Sequence, residues 1–155
     1  MTVGVTSAPR VRRLLALDVG DRRIGIAVSD ELGVTAQGVT TLHRRSWAAD
    51  LSEIARLVET WEAKAVVVGL PLTLDGTVGP RTHTVHAFIK RLESAVTVPI
   101  LTWDERFSTI AAERVLIDAD LSRAKRRQVV DKTAAVVILQ HFLDARANRE
   151  ADERS

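Results

Sequence analysis

The first apolar run of the chain carries a charge. Leu14 to Val19 reads as a short strand, yet Asp18 sits inside it, where burying an unpaired carboxylate would cost several kcal/mol. A strand of this kind fits few places in a fold. It belongs where the sheet edge can offer the acid a cation, or where the acid caps the turn at Gly20. A second apolar run, Ile24 to Val28, follows across Gly20-Asp21-Arg22-Arg23, which is a hairpin signal. A third strand is expected at Gly38 to Leu42 after the Gly33 turn, so three strands precede any helix.

From Trp47 to Ala63 the period changes. Leu51, Ile54, Leu57, Val58 and Trp61 recur at helical spacing, with Ser46 placed to cap the N-terminus. Ala65 to Val68 is a continuous run closed by Gly69-Leu70-Pro71, which suits a central strand buried on both faces. Helix is expected over Pro80 to Ala95, strand over Pro99 to Trp103 and helix over Ser108 to Ile117. The order is then βββαβαβα. A last helix spans Val130 to Ala147 and carries Asp131, Ala135, Ile138 and Phe142 on one stripe, so that Asp131 opens it and faces the sheet. Residues 1–13 read as a loose leader, 14–144 as one α/β domain and 145–155 as a frayed tail.

Composition limits the chemistry. With 155 residues the chain fits one domain, and 46% hydrophobic residues exclude wholesale disorder. There is no cysteine, so any metal is held by oxygen or imidazole nitrogen, which favours hard cations. No signal peptide or membrane span is evident, and a cytoplasmic location is the expectation. Net charge is only +2, but 18 of the 22 cations are arginine. Arginine is the better bidentate phosphate donor. The clusters Arg12-Arg13, Arg22-Arg23, Arg44-Arg45 and Arg123, Lys125, Arg126 and Arg127 are either phosphate contacts or solvated surface.

Two further acidic positions stand out. Asp104-Glu105-Arg106 ends the strand from Pro99, and alternation lets only one of the two acids share a face with Asp18. Asp131, at the start of its helix, is also a routine N-terminal stabiliser. In an open sheet, ligands collect at the carboxyl ends of strands near the point where the chain order reverses. Three carboxylates converging there would make an oxygen-only site for Mg²⁺ or Mn²⁺, with room for two ions about 3.5 to 4 Å apart and open positions for phosphate oxygens. Gly20 would leave phosphate room to approach the backbone. Arg106 is a phosphate contact or an ion-pair partner of Asp104; Thr73, Arg81 and Thr109 are lesser phosphate candidates. His83 and His86 lack a third ligand and read as surface, and Trp47, Trp61 and Trp103 read as core.

These residues carry a family pattern. Leu17-Asp18-Val19-Gly20, Arg23-Ile24-Gly25-Ile26-Ala27, Ser29-Asp30, Val68-Gly69-Leu70-Pro71, Asp75-Gly76, Asp104-Glu105-Arg106 with Ser108-Thr109, and Val130-Asp131 with Ala134-Ala135 together resemble the YqgF/RuvX family over about residues 14 to 144. The resemblance implies an RNase H-like fold, with a mixed five-stranded sheet whose first three strands are antiparallel, flanked by helices. It implies that Asp18, Glu105 and Asp131 are the catalytic and metal-binding acids, and it selects Glu105 over Asp104. It also implies a hydrolase cutting phosphodiester bonds to 5′-phosphate and 3′-hydroxyl ends. The substrate is structured RNA, at the 5′ end of pre-16S ribosomal RNA, or branched DNA at a Holliday junction. Paired cuts at a junction would require a homodimer. Gly20, Arg22, Arg23, Arg81, Arg106, Thr109, Arg123, Arg126 and Arg127 are the positions expected to touch substrate. A sugar-kinase or actin-like ATPase also begins with strand, Asp-x-Gly, strand, but needs a second such domain, and no second hairpin of that type follows residue 69. The alternative outside catalysis is a ribosome- or nucleic-acid-binding module whose acids hold a structural ion.

Overall fold

A computed structural model describes residues 13–71, 79–104 and 123–154. The expected helix over Ser108 to Ile117 and the leader before Arg13 fall outside these. Five strands form one sheet: β1 (Leu14–Val19), β2 (Arg23–Ser29), β3 (Ala36–His43), β4 (Ala65–Leu70) and β5 (Ile100–Asp104). Their order across the sheet is β3-β2-β1-β4-β5, antiparallel from β1 through β3 and parallel from β1 to β4 to β5. The mixed sheet and its three antiparallel leading strands are as the sequence implies. Chain order reverses beside β1, which has β2 on one side and β4 on the other.

Side-chain alternation divides the core in two. Leu15, Leu17, Val19, Ile24, Ile26, Val28, Val66 and Val68 face helices α1 (Trp47–Thr60) and α2 (Pro80–Leu92), against Ile54, Leu57, Phe88 and Leu92. Leu14, Ala16, Ala27, Ala65 and Val67 face the long helix α3 (Arg123–Arg154), against Ala134, Ala135, Ile138, Leu139 and Leu143. Small residues on this second face let α3 lie close to the sheet. Trp47 and Trp61 pack against the first cluster and Trp103 against the second, each half-buried at the margin of the core and not inside it.

Helix α3 differs from expectation at both ends. It begins at Arg123, so Asp131 is its ninth residue and no acid stands in its first turn. The reading of Asp131 as an N-terminal stabiliser therefore fails. The cause is that Arg, Ala, Lys, Arg, Arg and Gln at 123–128 are all good helix formers with no breaker among them. At the other end the helix continues through residues 145–154, expected as a frayed tail, with an Arg146–Glu150 ion pair at 3.7 Å one turn apart.

The direction of α3 follows from Gln140. Its Oε1 accepts from Ala36 N at 3.0 Å and its Nε2 donates to Val34 O at 2.9 Å, tying the helix to the β2–β3 connection. Beyond it, Leu143, Arg146, Ala147 and Glu150 line a groove with Leu32, Gly33 and Val34. Residue 140 therefore stands at the Leu14 end of β1, and the helix residues before it run back over the sheet toward Asp18.

Candidate active site

Asp18 is the next-to-last residue of β1, a strand that is hydrogen-bonded on both sides. It pairs with Gly25 of β2, and the parallel register with β4 reaches Leu17↔Val68 just before it. The residue is 3% exposed. By alternation it lies with Leu14 and Ala16, on the α3 face. The carboxyl ends of β1, β4 and β5 meet here, at the reversal of chain order where ligands of open sheets collect.

The register also gives the face of Asp104. Ile100 packs with the α1/α2 cluster and Trp103 with the α3 cluster. Asp104 shares the parity of Ile100, so it stands on the face opposite Asp18. Glu105 lies outside the described residues, as do Arg106, Thr109 and Thr73. Asp131, Arg123, Arg126 and Arg127 are described only as helical backbone.

Arg81 approaches Asp18, with Nη2 4.0 Å from Oδ1. Its place is fixed by Thr82, fully buried, whose hydroxyl donates to Pro71 O at 2.8 Å and ties the start of α2 to the end of β4. The Gly69-Leu70-Pro71 motif is thus the anchor that sets α2 beside the site.

The turn after Asp18 is held more tightly than the sequence suggests. Gly20 N donates to Arg23 O at 2.8 Å, and a Cβ on Gly20 would sit 2.9 Å from that oxygen. Glycine is required there by closure of the hairpin. Arg44, read from sequence as either a phosphate contact or solvated surface, is committed to this turn instead. Its Nη1 donates to Gly20 O at 3.1 Å, its backbone N to Arg22 O at 2.8 Å and its Nε to Asp50 Oδ2 at 3.4 Å. The guanidinium also lies over Trp47 and Phe88, with 5.1 Å and 5.4 Å to the ring centroids. Asp50, 1% exposed, accepts from Arg45 N at 3.0 Å with its other oxygen. Sequence reasoning missed Asp50. The available signal was an acid in the first turn of a helix, set just after two arginines.

Ser29 and Asp30, part of the same sequence pattern, lie at the opposite end of the sheet and are structural. Ser29 Oγ accepts from Leu14 N at 2.8 Å. Asp30 Oδ1 accepts from Val34 N at 2.7 Å and Thr35 N at 3.2 Å. The Val34 amide foremost holds the Asp30 carboxyl below the usual carboxylate range; burial opposes it next, and the amides of Thr35 and Gly33 add to the lowering. His83 and His86 are exposed on α2, as expected of surface residues.

Comparison with known proteins agrees with this frame. Thermus thermophilus RuvC in complex with a Holliday junction substrate superposes with a TM-score of 0.58 at 13% identity, over 88% of this chain and 96% of that one. The fowlpox virus resolvase bound to Holliday junction DNA gives 0.51 at 12% identity, over 86% and 97%. At such identities the likeness is one of fold, and it makes this an RNase H-like sheet. In sequence, the "Putative pre-16S rRNA nuclease" of Heliobacterium modesticaldum is 51% identical over 143 residues, 92% of this chain and 96% of that protein. The protein of the same name from Thermoanaerobacter pseudethanolicus is 47% identical over 138 residues, 88% and 99% of the two chains. A family model described as "RuvX: Holliday junction resolvase" matches residues 12–145. With that match and relatives about half identical along nearly their whole length, the chain belongs to the RuvX family.

Proposed function

We propose that this chain is a divalent-metal-dependent nuclease that hydrolyses phosphodiester bonds, acting on the 5′ end of the 16S ribosomal RNA precursor. The observation that carries the reading is Asp18, a buried carboxylate at the carboxyl end of a central strand, on the face covered by α3. The names of relatives at 51% and 47% identity support the substrate.

We assign the acidic set as Asp18, Glu105 and Asp131. Asp104 stands on the face away from Asp18, which supports giving the role to its neighbour in the Asp-Glu-Arg motif, as the family pattern does. For Asp131 the argument is one of length. Residue 140 stands level with Leu14; nine helical residues back from it cover about 13.5 Å at about 1.5 Å each. Leu14 to Asp18 covers about 13 Å at about 3.3 Å per strand residue. The two lengths agree, which supports counting Asp131 with Asp18. Ala135 and Ile138, four and seven residues further on, are fully buried.

Carboxylate oxygens without sulfur or nitrogen suit Mg²⁺ or Mn²⁺, and a pair of such ions would lower the pKa of a bound water and neutralise charge on the leaving oxygen. The chain's own contribution is placement. Asp18 is fixed by β1, itself clamped by β2 and β4, so its oxygens are oriented before substrate arrives. Arg81, half exposed and 4.0 Å from Asp18, supports a phosphate contact from the same guanidinium.

Asp18→Asn tests the reading. The variant should fold, bind nucleic acid and lose cleavage by at least about a thousandfold in Mg²⁺ or Mn²⁺, the scale of removing a principal electrostatic group. Cleavage at the wild-type rate would refute it. The description of the family model supports a second substrate, a four-way DNA junction. One panel of precursor leader RNA, single strands, duplexes and a four-way junction separates the two, symmetric paired cuts at the junction favouring the second. Binding with no cleavage of any substrate in either metal would favour the non-catalytic module.

A further inference from the structure

Of the arginines at this end of the sheet, Arg44 is bound to Asp50 and the Gly20 turn, and Arg81 reaches Asp18. Arg23 differs. It opens β2 with a half-buried side chain, and its Nε is buried with no hydrogen-bond partner. No ion pair to it occurs among the described residues. Its backbone carbonyl accepts from Gly20 N, so the main chain at this position is fixed.

The register says where this guanidinium belongs. Asp18 pairs with Gly25, and Arg23 is two residues from Gly25 on the same face. It is the diagonal neighbour of Asp18, for which Cβ atoms lie about 7 to 8 Å apart. Ile24 and Ile26 turn to the other face, into the α1/α2 core. Arg23 thus flanks the candidate acid on the α3 side, beyond the Gly20 turn.

An arginine stays charged at any working pH. Burying its Nε with nothing to accept the hydrogen costs free energy that folding alone does not recover. The planar fork of an arginine matches two oxygens of one phosphate. We infer that Arg23 is a phosphate-binding residue, gripping a backbone phosphate of the nucleic-acid strand beside the bond that is cut. This rests on the nuclease reading and adds a contact to it: the strand enters along the β1–β2 turn, with Arg23 on one flank of Asp18 and Arg81 on the other.

The experiment measures affinity and stability together. Fluorescence anisotropy with labelled precursor leader RNA and, separately, a labelled four-way DNA junction is run in Ca²⁺ over a series of salt concentrations. Wild type is compared with Arg23→Gln, Arg23→Lys and Arg23→Met, with Arg56→Gln as control, since Arg56 pairs with Glu53 on the exposed side of α1. Arg23→Gln should bind about ten- to a hundredfold more weakly, the scale of a charged hydrogen bond. Its dependence of log affinity on log salt should flatten by about one phosphate contact. Arg23→Lys should restore the salt slope and only part of the affinity, having charge without the fork. Arg23→Met should melt at or above wild type, because an unpartnered buried nitrogen is removed.

Unchanged affinity and salt slope in Arg23→Gln, or a lower melting temperature in Arg23→Met with binding intact, overturns the inference and makes Arg23 a structural residue. Mg²⁺ cleavage by wild type is read in parallel. If wild type cuts and Arg23→Gln binds normally, the inference fails alone. If wild type binds through Arg23 but cuts nothing, the nuclease reading fails and the phosphate contact stands. If wild type binds neither probe, both fail.

Discussion

Arg44 and Asp50 show how a charge is kept below a surface. Asp50 is buried, Arg44 has 15% of its side chain exposed, and the guanidinium spends its donors on Asp50 and Gly20 while two aromatic rings cover its faces. Removing one partner strands the other. Asp50→Ala should therefore cost about 3 kcal/mol in urea unfolding, the lower end for breaking a buried pair. Asp50→Leu combined with Arg44→Met should recover much of that, and a strictly additive double variant would show that the two do not act as a pair. Gly20→Ala sits in the same turn. Its Cβ would meet a backbone oxygen at 2.9 Å, so we expect a loss of about 1 to 2 kcal/mol together with slower cleavage, because the displaced turn is the one that follows Asp18. An unaltered melting temperature would contradict it. Neither Arg44 nor Asp50 could be assigned from sequence. An arginine pair after a strand reads equally as a phosphate contact, and only the fold reveals that α1 returns Asp50 to the pair.

Elements were legible where their period was strong. β1 is bounded as its apolar run predicts, β2 extends one residue at each end, and Ser46 caps α1 through a bond from Ala49 N at 3.1 Å. Helix α3 was legible only in its middle, where Ala135 and Ile138 mark a buried stripe; its polar ends carry helix propensity but no apolar period to read. The acids divide in the same way: Asp18 is conspicuous because it breaks a pattern, whereas alternation alone leaves Asp104 and Glu105 open and only the family pattern chooses between them. The connection from β2 to β3 offers a test at this scale. The Asp30 carboxyl is held low by the Val34 amide first, so its contribution to stability is present above the unfolded carboxyl range and is lost as pH falls through the depressed folded value. The protection factors of the Val34 and Thr35 amides, each rate taken relative to the unprotected rate at the same pH, should fall on acidification, and Asp30→Ala should show low protection at every pH. Equal protection in both proteins would sink this account. Gln140→Ala, which cuts both ties from α3 to this connection, should cost about 1 to 2 kcal/mol.

At the scale of the whole molecule, one sheet lies between two apolar layers, and β1 contributes to both. Neither layer is complete without the other. Heating should therefore give a single transition with calorimetric and van't Hoff enthalpies equal, and two resolved transitions would mean that the α3 layer opens independently. Asp18 belongs to the strand at the middle of that arrangement, paired to neighbours on either flank. A side chain rooted there cannot be accommodated by a shift of its main chain. Lengthening it by one methylene in Asp18→Glu moves the carboxylate by roughly the length of a C–C bond, about 1.5 Å, and a misplacement of about 1 Å can lower a rate about a hundredfold. The rigid middle of the sheet thus leaves a longer acid no way to regain the position of the shorter one.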